Sequence, residues 1–234
     1  MRQLLDTFFD FGFIWSKRGQ VLRGFWIDIQ IFLEAEFLIL IWGLVLAIIR
    51  GLPGKAARPA RWAAIAYIDL FRGMPSLVII ALIGFGLPIA VPAFQGASVI
   101  QLGVIALTLN YGAYVAEVYR AGIESIHWSQ SAASRSLGLS QGQTMRFVVL
   151  PQAVRRVVPP LLNDFIALQK DAVLVSAIGV NEAFQQAKIA AGAEFNYSTL
   201  TGVALCYIVI TIPLTRVTDL LIKRDKERLQ AGRQ

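Results

Sequence analysis

Charge is scarce in this chain. Asp, Glu, Lys and Arg supply only 16% of its 234 residues, whereas 56% are hydrophobic, against roughly 25% charged in ordinary soluble domains. That balance calls for lipid as the solvent around much of the molecule. Cysteine occurs once, at Cys206 within GVALCYIVITI. An intrachain disulfide is therefore impossible, and a buried inert thiol is the expected state. Histidine also occurs once, at His127, so Cys and His offer no cluster at metal-ligand spacing. No G-x-S-x-G, P-loop or H-E-x-x-H pattern is present, which leaves the chain without a nucleotide site, a metal centre or an activated nucleophile. It is expected not to be an enzyme and to bind no cofactor itself.

What charge there is leans one way, with 22 Lys and Arg against 15 Asp and Glu. The basic residues are not interleaved with aromatics on one polar face, which argues against nucleic acid as a partner. They gather at the ends of apolar segments, the pattern of loops facing the cytoplasm. The opening MRQLLDTFFDFGFIWSKRGQ carries Asp6 and Asp10 inside its apolar part and has no small-residue cleavage pattern, so it reads as a retained arm and not as a signal peptide.

A membrane span needs about 20 mostly apolar residues. Five stretches qualify, at about 27–49, 62–88, 97–119, 157–180 and 199–222. From Gly73 to Ala116 no residue is charged, which is too long for one helix, and GFGLPIAVPAFQG in the middle supplies turn signals, so a helical hairpin is expected. The connection RGLPGKAARPAR and the tail KRDKER are basic and should be cytoplasmic. Five spans then place the N-terminus outside and the C-terminus inside, although Lys17, Arg18 and Arg23 in the arm run against this. The expected fold is all-α: an arm at 1–26, a transmembrane bundle at 27–222 with a loop at about 125–151, and a tail at 223–234.

That loop, SQSAASRSLGLSQGQ and its flanks, is polar and rich in small residues. Ala133 and Leu137 recur at helical spacing, Gly138 is a helix stop, and Ser140 with Gln143 makes a capping box. Two short helices at an angle are expected, ending at Pro151. They suit a groove on another protein, or lie as a compact loop on the membrane surface.

RSLGLSQGQTMRFVVLPQAVRRVVPP resembles the signature of permease subunits of ATP-binding-cassette importers, with its E-A-A, three residues, G and a run ending in L-P. YIDLFRGMPSLV, LTLNYGAYVAEVYRAGIESI and LLNDFIALQKDAVLVSAIG resemble blocks of the polar amino acid branch, so the resemblance covers roughly 24–222. It implies that the loop couples to a separate ATPase, which carries the ATP and Mg, through Gln130, Ala132, Ala133, Arg135, Leu137, Gly138, Leu139 and Ser140. An extracytoplasmic substrate-binding protein, an identical or homologous permease, membrane lipid and a small polar amino acid are the other implied partners, in a bacterial inner membrane. The family's Glu falls on Ala132, so docking should rest on shape and on Arg135 or Arg146.

Charges within a span are costly and usually face the protein or a water-filled path. Asn163, Asp164, Lys170 and Asp171 fall within an arc of about 120° on the fourth span and form one polar stripe. Lys170 and Asp171 read either as an ion pair or as substrate contacts. Asp164 and Asn163, just beyond the Pro159-Pro160 break, read as lining the path. Asn110 interrupts the third span and joins the same set. Asp69 and Arg72 are expected to pair locally, and Glu117, Arg120 and Glu124 to form a solvated helix end. A stand-alone secondary transporter is the alternative; it would need inverted repeats, and none is visible.

Overall fold

The computed structural model describes residues 7–231, and all regular structure among them is helical. Helix α1 (Phe11–Gly51) is capped by the Asp10 carboxylate, which accepts the Phe13 amide. It runs for 41 residues, about 60 Å at 1.5 Å per residue. The arm expected at 1–26 is thus helical from Phe11 and continuous with the first span. Its start is tied down far along the chain. The Asp10 amide donates to Ser198 Oγ at 2.9 Å and the Thr201 hydroxyl donates to the Phe8 carbonyl.

The second expected span is two helices. α2 (Arg58–Gly73) and α3 (Ser76–Ala81), the latter carried on through a wide turn at Leu82–Gly86 into α4 (Leu87–Ala90), meet at an angle of 109°. The cause is local. Met74 precedes a proline and is extended, with ψ 145°, as is Pro75 with ψ 136°, because the proline ring disfavours helical backbone in the residue before it. After a short turn at Pro92–Phe94, α5 (Val99–Glu124) starts at the capping box of Ser98 and Gln101. α1 and α5 share the most extensive interface, with Ile31, Ile39, Leu107 and Val115 buried at the centre of the core.

α6 (Trp128–Ser136) and α7 (Gln141–Thr144) are the two helices of the loop. The second does not end at Pro151. A wide turn at Met145–Val149, closed by the Leu150 amide donating to the Met145 carbonyl, feeds directly into α8 (Leu150–Asp171), with Pro151 in its first turn. Nor do Pro159 and Pro160 break α8. The two residues can donate nothing to the carbonyls four positions back, yet the helix runs on unbroken to Asp171. Val157 packs so closely on α5 that a Cβ added to Gly122 would lie 2.2 Å from its Cγ2.

The chain continues through a tight helical stretch at Ala172–Ile178, then α9 (Ala183–Glu194) and α10 (Ser198–Ala231). Among the described residues three helices, α1, α5 and α10, are long and apolar enough to cross a membrane, or four spans if the bent pair counts as one. The fourth expected span, α8, is long enough but carries Arg155, Arg156, Asp164 and Lys170.

Candidate functional site

Two places gather the residues singled out in the sequence. The first is the loop. His127 caps α6 by accepting the Ser129 amide, and the chain leaves the helix through Gly138 at φ 87°. The Leu139 amide reaches back to the Ser134 carbonyl at 3.2 Å, closing the left-handed turn that glycine adopts without steric cost. Ser140 and Gln143 then exchange both bonds of a capping box. Between the helices the hydroxyls of Ser134 and Thr144, both buried, lie 3.0 Å apart. Arg135 donates to the Leu139 carbonyl at 2.8 Å. The angle between α6 and α7 is therefore fixed by backbone, side chain and cap together.

What this knob presents outward is polar and apolar by turns. Gln130, Ala132, Ala133, Arg135, Gly138 and Ser140 are exposed, Leu139 is half-buried, and Leu137 is 82% exposed. Leu137, like Trp128 and Phe147, is a large apolar side chain held out in solvent.

The second place is the polar face of α8, which the fold splits in two. Asn163 and Lys170 are exposed, whereas Asp164 and Asp171 are half-buried and turn toward α5 and α1. Asp171 accepts the Tyr111 hydroxyl at 2.7 Å and makes no ion pair with Lys170. Neighbours in sequence point about 100° apart on a helix, so the expected pair gives way to a partner across the interface. Asp164 Oδ2 is buried without a hydrogen-bond partner among the described residues, and its carboxylate lies within electrostatic reach of Glu36 on α1. Glu34 points to the exposed side of α1, Glu36 inward. Asn110 does not join this group. It is fully buried and donates to Ser76 Oγ at 2.8 Å, holding α5 against the start of α3.

Four further arrangements were invisible as patterns. Glu117, read as part of a solvated helix end, is a hub: its carboxylate meets Arg50 of α1, Arg72 of α2 and Arg120 of its own helix, with only 16% of its side chain exposed. Arg72 takes Glu117 in place of Asp69 and lies over the Tyr114 ring. Tyr67 accepts the Trp42 indole N–H and donates to the Leu109 carbonyl, joining α1, α2 and α5. Asp28 and Glu182, both buried, sit at the N-terminus of α9, where Glu182 accepts the Phe184 and Gln185 amides. Gln169 is buried on α8 and accepts the Thr211 hydroxyl of α10 at 2.8 Å.

The described residues form an all-helical bundle from which a rigid two-helix knob projects. The family model described as "Binding-protein-dependent transport system inner membrane component" matches residues 39–228, and the chain belongs to that family. It is 33% identical over 220 residues to the glutamine transport system permease protein GlnP of Escherichia coli (strain K12), covering 93% of this chain and 98% of that one. It is 34% identical over 213 residues to the probable amino-acid permease protein YxeN of Bacillus subtilis (strain 168), covering 90% and 93%. Among solved structures, a chain in the crystal structure of an amino acid ABC transporter with histidines superposes at a TM-score of 0.83 with 31% identity, over 92% of this chain and 98% of that one. A chain of the MetNI methionine ABC transporter in an inward-facing conformation shares the fold at a TM-score of 0.71 with 18% identity. The protein is thus a multi-pass inner-membrane permease subunit, not an enzyme, and the ATP-binding site belongs to its ATPase partner.

Proposed function

We propose that the chain forms one half of a path for a polar amino acid, driven by ATP hydrolysis on ATPase subunits that receive the α6–α7 knob. The observation that carries this is the knob itself, a rigid projection with exposed Leu137 at its tip. Gln130, Ala132, Ala133, Arg135, Leu137, Gly138, Leu139 and Ser140 form the docking surface, and with Ala132 in the acidic position of the signature the contact rests on shape. The knob, the basic first loop and the tail lie in the cytoplasm, and the N-terminus lies outside. A loaded extracytoplasmic binding protein delivers substrate, and a second permease, identical or homologous, completes the path, since one bundle encloses little volume. The working division is an outer segment at 1–26, the membrane domain at 27–222 with its loop at about 125–151, and a cytoplasmic tail at 223–234.

Asn163, Asp164, Lys170 and Asp171 line the path, with Asp164 the recognition carboxylate because it alone of the four has a buried oxygen without a partner. A carboxylate in a partly desolvated site attracts an ammonium or guanidinium group. Asp164→Asn, close in shape but uncharged, is expected to keep normal protein levels and to lower uptake of a cationic amino acid relative to a neutral one. A charge-assisted contact is worth about 1.5–3 kcal/mol, so the ratio should move roughly tenfold to a hundredfold. Uptake of cationic, neutral and anionic amino acids in parallel, with protein quantified, checks this. An unchanged ratio removes Asp164 from the site.

A further inference from the structure

Between α8 and α10, on the same side of the bundle as the knob, lies a groove of about 290 Å³. Its walls are apolar, formed by Val154, Val158, Leu162, Leu221 and Ile222, and two arginines, Arg155 and Arg224, stand at its edge. Both guanidinium groups are exposed, and neither has a hydrogen-bond or ion-pair partner among the described residues. This differs from the other side of the bundle's base, where Arg50, Arg72 and Arg120 are all engaged by Glu117.

We infer that this groove holds an anionic phospholipid, its phosphate between Arg155 and Arg224 and the first carbons of its acyl chains along the apolar wall. The chemistry requires both halves. Two free cations without an apolar wall would attract any small anion, and an apolar wall without cations would take any lipid. A basic pocket between transmembrane helices near the cytoplasmic surface, where anionic lipids concentrate, recruits them by charge and retains them by chain contact. The choice of leaflet rests on the topology proposed above, while the groove and its free cations do not.

The test uses the permease purified in complex with its ATPase, exposed in detergent to phosphatidylglycerol or phosphatidylcholine, with bound lipid counted by native mass spectrometry. The wild type should retain phosphatidylglycerol over phosphatidylcholine. R155Q/R224Q should retain roughly tenfold less phosphatidylglycerol, whereas R155K/R224K, which keeps the charge, should retain most of it. R216Q, which removes an exposed cation of α10 outside the groove, should bind as the wild type does. Added inorganic phosphate should not displace the lipid. Equal retention of the two lipids, unchanged retention in R155Q/R224Q, an equal loss in R216Q, or displacement by phosphate alone would each overturn the assignment. Because the readout is bound lipid, failure here leaves the transport reading untouched.

Discussion

Replacing Gly138 by valine is expected to abolish uptake while leaving the chain inserted in the membrane at near wild-type abundance. Gly138 sits at φ 87°, and an added Cβ there would meet nothing within 4 Å. The obstacle is therefore the backbone alone. An ordinary L-residue in the left-handed region is disfavoured by about 1–2 kcal/mol, and a β-branched one more so, which lowers the population of the native turn roughly five- to thirty-fold or beyond. Reopening that turn breaks the bond from the Leu139 amide to the Ser134 carbonyl and releases Arg135 from the Leu139 carbonyl. The exposed Leu137 then no longer points where it did. Gly138→Asn provides the control, because asparagine tolerates the left-handed conformation. It should keep a substantial part of uptake and of ATPase association. If the valine variant transports normally, the fixed angle between α6 and α7 is not what couples the subunits.

The second large effect should come from Glu117→Gln. The carboxylate ties α1 and α2 to α5 through Arg50 and Arg72, and also holds Arg120. Removing its charge leaves three cations around a largely enclosed amide. Breaking a fully buried ion pair costs about 3–5 kcal/mol. With the three arginine side chains 24%, 42% and 32% exposed, a loss of about 2–3 kcal/mol is the reasonable expectation. Thermal unfolding in detergent should fall by roughly 4–12 °C. Arg72→Gln should shift it less, because that contact is the longest of the three at 3.8 Å and Arg72 the most exposed partner. Equal shifts for the two variants would mean that Glu117 is not a hub.

The loop was legible in the sequence because its signals are local. A glycine stop and a capping box act within a few residues, and the structure places both where the sequence puts them. The helical class was legible for the same reason, from long apolar runs. What could not be read was what depends on a neighbour far along the chain. Glu117 looked solvated because only Arg120 and Glu124 are near it in sequence; Arg50 lies 67 residues away. Lys170 and Asp171 looked like a pair because adjacency in sequence was the only geometry available, and the Tyr111 hydroxyl stands 60 residues off. The prolines misled in both directions. Pro75 bends the chain by 109° where a straight span was expected, while Pro159 and Pro160 sit inside an unbroken α8. Proline removes the same donor each time. At Met74 and Pro75 the backbone turns extended, with ψ 145° and 136°, whereas Pro159 and Pro160 keep their place in the helix, and no local sequence signal separates the two cases.

This chain is expected to move its substrate only when the knob is seated on a separate ATPase. The most direct measurement reconstitutes the permease in proteoliposomes with its ATPase, and uptake of a radiolabelled amino acid is followed with the loaded binding protein outside the vesicle and ATP inside. Uptake should require all three components, and the binding protein should stimulate ATP hydrolysis with wild-type permease but not with Gly138→Val. Uptake by the permease alone, driven by an ion gradient without the ATPase, would contradict the account.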